Sequence, residues 1–242
     1  MFQQTDIEQS FNRFAENAGG EYERARWKST AEREQDYFMT EKSIRQLAKD
    51  VKFSHYLELG SGPGTWTKVF ITFVPNASFD LVDISEVMLR QAKTGLGNAE
   101  NIHYIHSDFM SFAANKRYDF FFSSRAIEYL PSKKDFAKKV FSLMKAGGRG
   151  IIITKMSHYG RSTLARKTIP PIHRGQIKPK VLTRFLRDAG FSVEGVWPVT
   201  LHTPVISIPA LNRLLYRIFS SFQLNPASAF FSESYAVTFT KP

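Results

Sequence analysis

The chain has 242 residues, 43% of them hydrophobic, six histidines, no cysteine and a formal net charge of +11. That length and apolar content suffice for a buried core, while the lack of cysteine excludes a disulfide framework, a thiol nucleophile and a cysteine zinc site. No apolar run reaches the roughly 18 residues of a membrane span, MFQQTDIEQSFNRF at the start is polar rather than signal-like, and no HExxH or close histidine pair occurs, so a cytoplasmic protein without a metal site is expected.

After a polar, aromatic-spotted opening (6–36), TEKSIRQLAKDV (40–51) reads as a helix, HYLELG (55–60) as a strand and GTWTKVFITFV (64–74) as a helix. SFDLVDIS (78–85) is the next strand, SEVMLRQAKTG (85–95) a helix opened by Ser85, and NIHYIHSD (101–108) and YDFFFSS (118–124) are strands. KKDFAKKVFSLMKAGG (133–148) reads as a helix closed by Gly147 and Gly148, followed by the strand RGIIITKM (149–156). A Pro-containing basic connection leads to the helix PKVLTRFLRDAGF (179–191), a strand around FSVEGVW (191–197) and a last strand, SYAVTFT (234–240). Strands alternating with helices at this spacing predict a parallel sheet covered on both faces.

The charge is unevenly placed. Residues 116–187 hold 18 Lys/Arg against 3 Asp/Glu, whereas residues 1–115 carry a net −4 and residues 188–242 are neutral. An anionic acceptor, nucleic acid or an anionic membrane surface would each match that excess, and solvated helix faces account for part of it, as in KKDFAKKV (133–140).

YLELGSGPGTW (56–66) sets three glycines at alternate positions behind the first strand. In a doubly wound sheet that turn faces the ligand crevice, and glycine lets the backbone approach a cofactor. A dinucleotide fingerprint would want glycine at position 65, which is threonine, and Glu58 would repel a pyrophosphate while suiting a ligand with an ammonium and a sulfonium, which points to S-adenosylmethionine. Here the sequence resembles the class I S-adenosylmethionine-dependent methyltransferases, whose first motif is an acid followed by alternating glycines: Glu58, Gly60, Gly62 and Gly64, with Ser61 between. The resemblance covers 55–156 well and 180–197 loosely. It implies an α/β, Rossmann-like, doubly wound, seven-stranded and mostly parallel sheet with an antiparallel last strand and helices on both faces. It further implies one methyltransferase domain over 1–242, with an N-terminal helical lid (1–40), a cofactor-binding core (41–156) and acceptor-side insertions (157–180 and 200–232).

The same resemblance assigns the cofactor site. Asp83, ending LVDIS with Ile84 and Met88 after it, would accept the ribose hydroxyls; Ser107, Asp108 and Phe109 would hold the adenine; Ser124 and Arg125 follow the fourth strand under the methionine portion. Phe11, Phe14, Tyr22, Trp27 and Tyr37 would form the lid, with Tyr22 touching the methionine end. A base is needed only for a hydroxyl or protonated amine acceptor, and the candidates are His158, Glu128 and His173. Residues 155–187 carry nine Lys/Arg and no acid, which suits an anionic acceptor, and Leu211, Leu214, Leu215, Ile218, Phe219 and Phe222 make one helical stripe. That stripe would pack on its own domain, cover an apolar acceptor, or make peripheral contact at the inner membrane surface through 208–222. The leading reading is methyl transfer to O or N of a small, anionic or amphiphilic, lipid-linked or glycan-precursor acceptor, with S-adenosylhomocysteine as product. The alternatives are an RNA methyltransferase using 116–187, disfavoured because SSRAIE stands where an amine-methylating motif would, and a non-catalytic cofactor-binding protein.

Overall fold

The computed structural model describes residues 4–157, 164, 175–205 and 208–242. Within them the chain runs α1 (Gln4–Asn17), α2 (Tyr22–Trp27), α3 (Ala31–Leu47), β1 (His55–Leu59), α4 (Thr67–Phe73), β2 (Ser78–Asp83), α5 (Glu86–Leu96), β3 (Ile102–His106) and β4 (Tyr118–Ser124). A 3-10 turn (Ile127–Tyr129), α6 (Lys133–Leu143), β5 (Met144–Lys155), α7 (Pro179–Asp188), β6 (Ser192–Leu201), α8 (Pro209–Phe219), α9 (Pro226–Phe231) and β7 (Ser232–Thr240) follow. One sheet takes the order β3-β2-β1-β4-β5-β7-β6, with β1 to β5 parallel and β7 antiparallel to both β5 and β6. This is the seven-stranded architecture expected from the sequence.

Strand alternation divides the core. Leu57, Leu59, Phe121, Ile152 and Val237 face α6 and α7, while Tyr56, Leu81, Phe120, Phe122 and Ile153 face α3 and α4. Ser85 and Ser132 start α5 and α6 with side chains that accept from the amides of Met88 and Asp135, the caps that stop those helices fraying.

Two boundaries differ from the sequence reading. Helix α6 ends at Leu143, and MKAGG opens β5 instead, because Met144 pairs with Tyr118 while the Gly147 amide donates to Lys241 O and the Lys241 amide returns to Gly148 O. The chain end thus draws the glycines into the sheet. Helix α3 begins at Ala31, not near residue 40, with Thr30 as its cap. Its inward positions Gln35, Asp36, Thr40 and Ser43 are polar, so it lacks the apolar period that reveals an amphipathic helix.

Candidate active site

After β1 the chain turns to β2 on one side, and β4 lies on the other, so a crevice opens beyond the carboxyl ends of β1 and β4. A cavity of about 910 Å³ occupies it. Its floor comes from the β1 loop, the ends of β2 to β5 and the 3-10 turn, and α1 and α2 roof it. Side chains of the core fasten the roof: the Ser85 hydroxyl donates to Asn12 Oδ1 (2.6 Å), Gln91 Nε2 to Ala15 O (3.3 Å), and Lys68 Nζ reaches Glu23 (3.0 Å).

The β1 loop needs its glycines. Gly60 (φ +69°) has a backbone that L side chains rarely adopt, and a Cβ there would stand 2.3 Å from that of Ala126. Asp83 ties the loop down: Oδ2 accepts from the Gly62 amide and Oδ1 from the Ser85 amide, both at 2.8 Å. Burial raises its pKa and these two bonds oppose the rise.

Of the residues singled out in the sequence, Tyr22, Gly60, Ser61, Gly62, Asp83, Ile84, Met88, Ser107, Asp108, Phe109, Ser124, Arg125 and Glu128 all line the cavity. Phe11, Phe14 and Trp27 line it from the roof, whereas Tyr37 stacks on Trp66. Gly64 does not line it and packs against Leu96. Nor does Glu58, which points with Tyr56 to the opposite face of β1 and accepts hydrogen bonds from the Tyr56 and Thr67 hydroxyls at 2.8 and 2.7 Å. Burial lifts its carboxyl to about 7 despite those two bonds, so near neutrality it holds only part of the charge expected of it. Glu58→Gln keeps an acceptor for both hydroxyls and is expected to change cofactor affinity less than about threefold. A loss of about tenfold or more by calorimetry would restore Glu58 as an electrostatic partner of the ligand. His158 and His173 lie outside the described residues.

Glu128 is the base candidate among the described residues. It is buried; its Oε1 accepts from the Lys155 amide at 2.8 Å, and its Oε2 has no hydrogen-bond partner among them. Arg125 is their one non-glycine residue at positive φ (+56°), a conformation held only where the surroundings enforce it. Its Nε and Nη2 are buried without hydrogen-bond partners among the described residues, and its guanidinium lies 5.2 Å from the Trp27 ring. Arg26, 4.3 Å from the same ring, has its pKa lowered first by burial and then by Arg125. Burial also raises Tyr22 and Tyr129, leaving both phenols neutral.

Behind Arg26 and Lys155 lies a group that has no signature in the sequence. Buried His202, just past β6, places Nε2 2.9 Å from Asp36 Oδ1 and 3.1 Å from Glu233 Oε2, and Lys155 Nζ is 3.0 Å from Glu233 Oε1. The spacing of these three donors would admit a metal ion, and the same set balances as an ionic cluster around an imidazolium. Burial disfavours the charged ring, but Asp36 and Glu233 outweigh it and raise His202 to about 9. Glu233 is held well below the usual carboxylate range: burial pushes it up, and Lys155 and His202 prevail.

Part of the basic third is occupied with the protein's own acceptors. Lys116 pairs with Asp80, Lys145 with Asp119 and Arg149 with Glu194, and Lys133 and Lys139 donate to backbone carbonyls. Those side chains do not form an open nucleic-acid face.

The site fits S-adenosylmethionine. A cradle of positive-φ glycines, two acidic turns at the ends of β2 and β3, and the buried Ser61 hydroxyl, unpartnered among the described residues, stand where a nucleoside and an amino acid would need donors and acceptors. Residues 57–148 match the methyltransferase domain family. Over 107 residues the chain is 30% identical to malonyl-[acyl-carrier protein] O-methyltransferase 2 of Ilyobacter polytropus; the match spans 44% of this chain and 40% of that relative. The structure resembles the N-methyltransferase NodS of Bradyrhizobium japonicum in complex with S-adenosylhomocysteine (TM-score 0.64, 12% identity, 97% and 98% of the two chains). It also resembles the complex of the Haloferax volcanii Trm112 methyltransferase activator with a methyltransferase (TM-score 0.69, 14% identity, 96% and 97%). The glycine loop and the cavity-lining acidic turns at Asp83 and Asp108 fall within the 57–148 span that matches the methyltransferase domain family, and the chain spans less than half the length of the curated relative it matches.

Proposed function

We propose that the protein moves a methyl group to an O or N atom of a small anionic, amphiphilic acceptor bound in the same cavity as the cofactor. The carrying observation is the pair Arg26 and Arg125: two half-buried arginines whose guanidiniums lie beside one indole, with Nε and Nη2 of Arg125 unpartnered among the described residues. Such a pair is costly to leave unmatched and well shaped for a carboxylate or phosphate. The cavity, near the upper end of the ~300–1,000 Å³ usual for small-ligand clefts, has room for two molecules. The relative's name adds an acceptor class: a malonyl group on a carrier ends in a carboxylate.

When bound, S-adenosylmethionine supplies an electrophilic methyl group on sulfur. The protein's own part is placement. Asp83 and the Gly60–Gly62 backbone hold the nucleoside, Asp108 and Phe109 the base, and Tyr22 and Ser124 the methionine end. Residues 1–40 act as the lid that excludes water; among the described residues of the two insertions only Gln176 lines the cavity. For a hydroxyl or protonated amine, Glu128 Oε2 takes the proton; a carboxylate oxygen needs no base.

The test is methyl transfer from labelled cofactor to malonyl thioesters and lipid-linked sugar phosphates, each beside its neutral ester or dephosphorylated counterpart. The anionic member should be preferred, and Arg125→Met should raise its KM about tenfold or more with cofactor affinity within about threefold. Equal turnover of neutral counterparts would overturn the anionic reading. A fall in cofactor affinity alone would reassign the pair to the cofactor's own carboxylate.

A further inference from the structure

Helix α8 is turned inside out. Its inward face carries polar groups held by distant partners: Asn212, fully buried, accepts from the Thr203 amide at 2.8 Å, and the Tyr216 hydroxyl lies 3.0 Å from Ser43 Oγ. Gln35 Nε2 donates to Pro209 O at the start of the helix (2.7 Å). These bonds fix the rotation of α8 on α3. Only Leu215 and Phe219 of the apolar stripe pack partly beneath it. Leu211, Leu214, Ile218 and Phe222 point outward with 43%, 50%, 48% and 62% of their surface exposed, and Ile208 extends the row. Leu211, Leu214 and Ile218, at helical spacings of three and four, make a stripe that Phe222 follows just past the helix end, not scattered surface side chains.

We propose that this face of α8 lies in the interface of an anionic lipid bilayer. Charge selects the occupant. Residues 195–232 contain no Asp or Glu, and Arg213 and Arg217 are exposed beside the stripe. Leucine, isoleucine and phenylalanine would enter the acyl boundary while the two guanidiniums meet lipid phosphates. A second copy fits poorly, because pairing two such faces brings four arginines together with no acid on the helix to neutralise them. An 11-residue helix is also only about 16 Å long, too short for the roughly 800 Å² per partner of a stable dimer. No helix among the described residues is long and apolar enough to cross a membrane, so contact through α8 is peripheral.

The full chain should sediment with phosphatidylcholine/phosphatidylglycerol vesicles at low salt, bind pure phosphatidylcholine at least about tenfold more weakly, and lose affinity as salt rises. Leu214→Gln with Ile218→Gln, both exposed and so compatible with an unchanged circular dichroism spectrum, should lower partition about tenfold or more. Arg213→Gln with Arg217→Gln should lower it for anionic vesicles only, by about fivefold per arginine. Failure of the unaltered protein to bind anionic vesicles overturns the proposal. Binding that survives the Leu214/Ile218 change does so too, as does a dimer in light scattering that this change dissociates. None of these outcomes depends on methyl transfer.

Discussion

Asp83→Ala is expected to weaken S-adenosylmethionine binding by about a hundredfold or more. Two losses add. The mutant has no carboxylate to accept the ribose hydroxyls, and charged hydrogen bonds of that kind contribute about 1.5–3 kcal/mol each. It also frees the amides of Gly62 and Ser85, which Asp83 holds at 2.8 Å, so the glycine loop and the start of α5 lose their common anchor. Asp83→Asn keeps one acceptor oxygen and should fall between the mutant and the native chain. Calorimetry on protein with an unchanged thermal melt checks this, and native-like affinity in the alanine variant would remove Asp83 from the site. The contrast with Glu58→Gln is informative, because both are buried strand carboxylates that the resemblance assigns to the cofactor site but only Asp83 lines the cavity.

His202→Asn is expected to destabilise the fold by about 3–5 kcal/mol, since it strands the Asp36 and Glu233 carboxylates in a buried layer. For a chain of this size that corresponds to about 10 °C in Tm. The pH dependence carries a definite sign. The imidazole rises from its ordinary 6.5 to about 9 in the folded state, so folding favours the protonated ring. Its contribution is complete below about pH 6.5 and disappears as pH climbs through 9. The gap in Tm between native and variant protein should therefore shrink between pH 7 and 9.5. A gap that widened over that range would contradict an imidazolium cluster, and stoichiometric metal in the purified native protein would replace it with a metal centre.

Much of the fold was legible in the sequence because local signals agreed with the tertiary ones. Ser85 caps α5 where the helix was expected to open, YDFFFSS is β4 residue for residue, and the ligand-facing turns follow the strands that the pattern revealed. What stayed hidden depends on partners far along the chain. MKAGG looks like a helix terminus until the chain end at Lys241 recruits it into β5. His202 sits on no motif, and its significance comes from Asp36 and Glu233, which neither flank it nor share its element. The stripe on α8 was visible, but not its direction: a hydrogen bond between the Ser43 and Tyr216 hydroxyls and one from the Thr203 amide to Asn212 turn Tyr216 and Asn212 inward, against the usual rule that the apolar face is buried. Glu58 shows the converse, a motif residue whose side of the strand is set by alternation and turned away from the cavity.

Calorimetric titration of the purified chain with S-adenosylmethionine, beside NAD as the competing cofactor class, tests the central claim most directly. One site of micromolar affinity for S-adenosylmethionine, weakened by Asp83→Ala and absent for NAD, is the predicted result. Folded protein that ignores S-adenosylmethionine, or that binds NAD in its place, would contradict the assignment of the cavity.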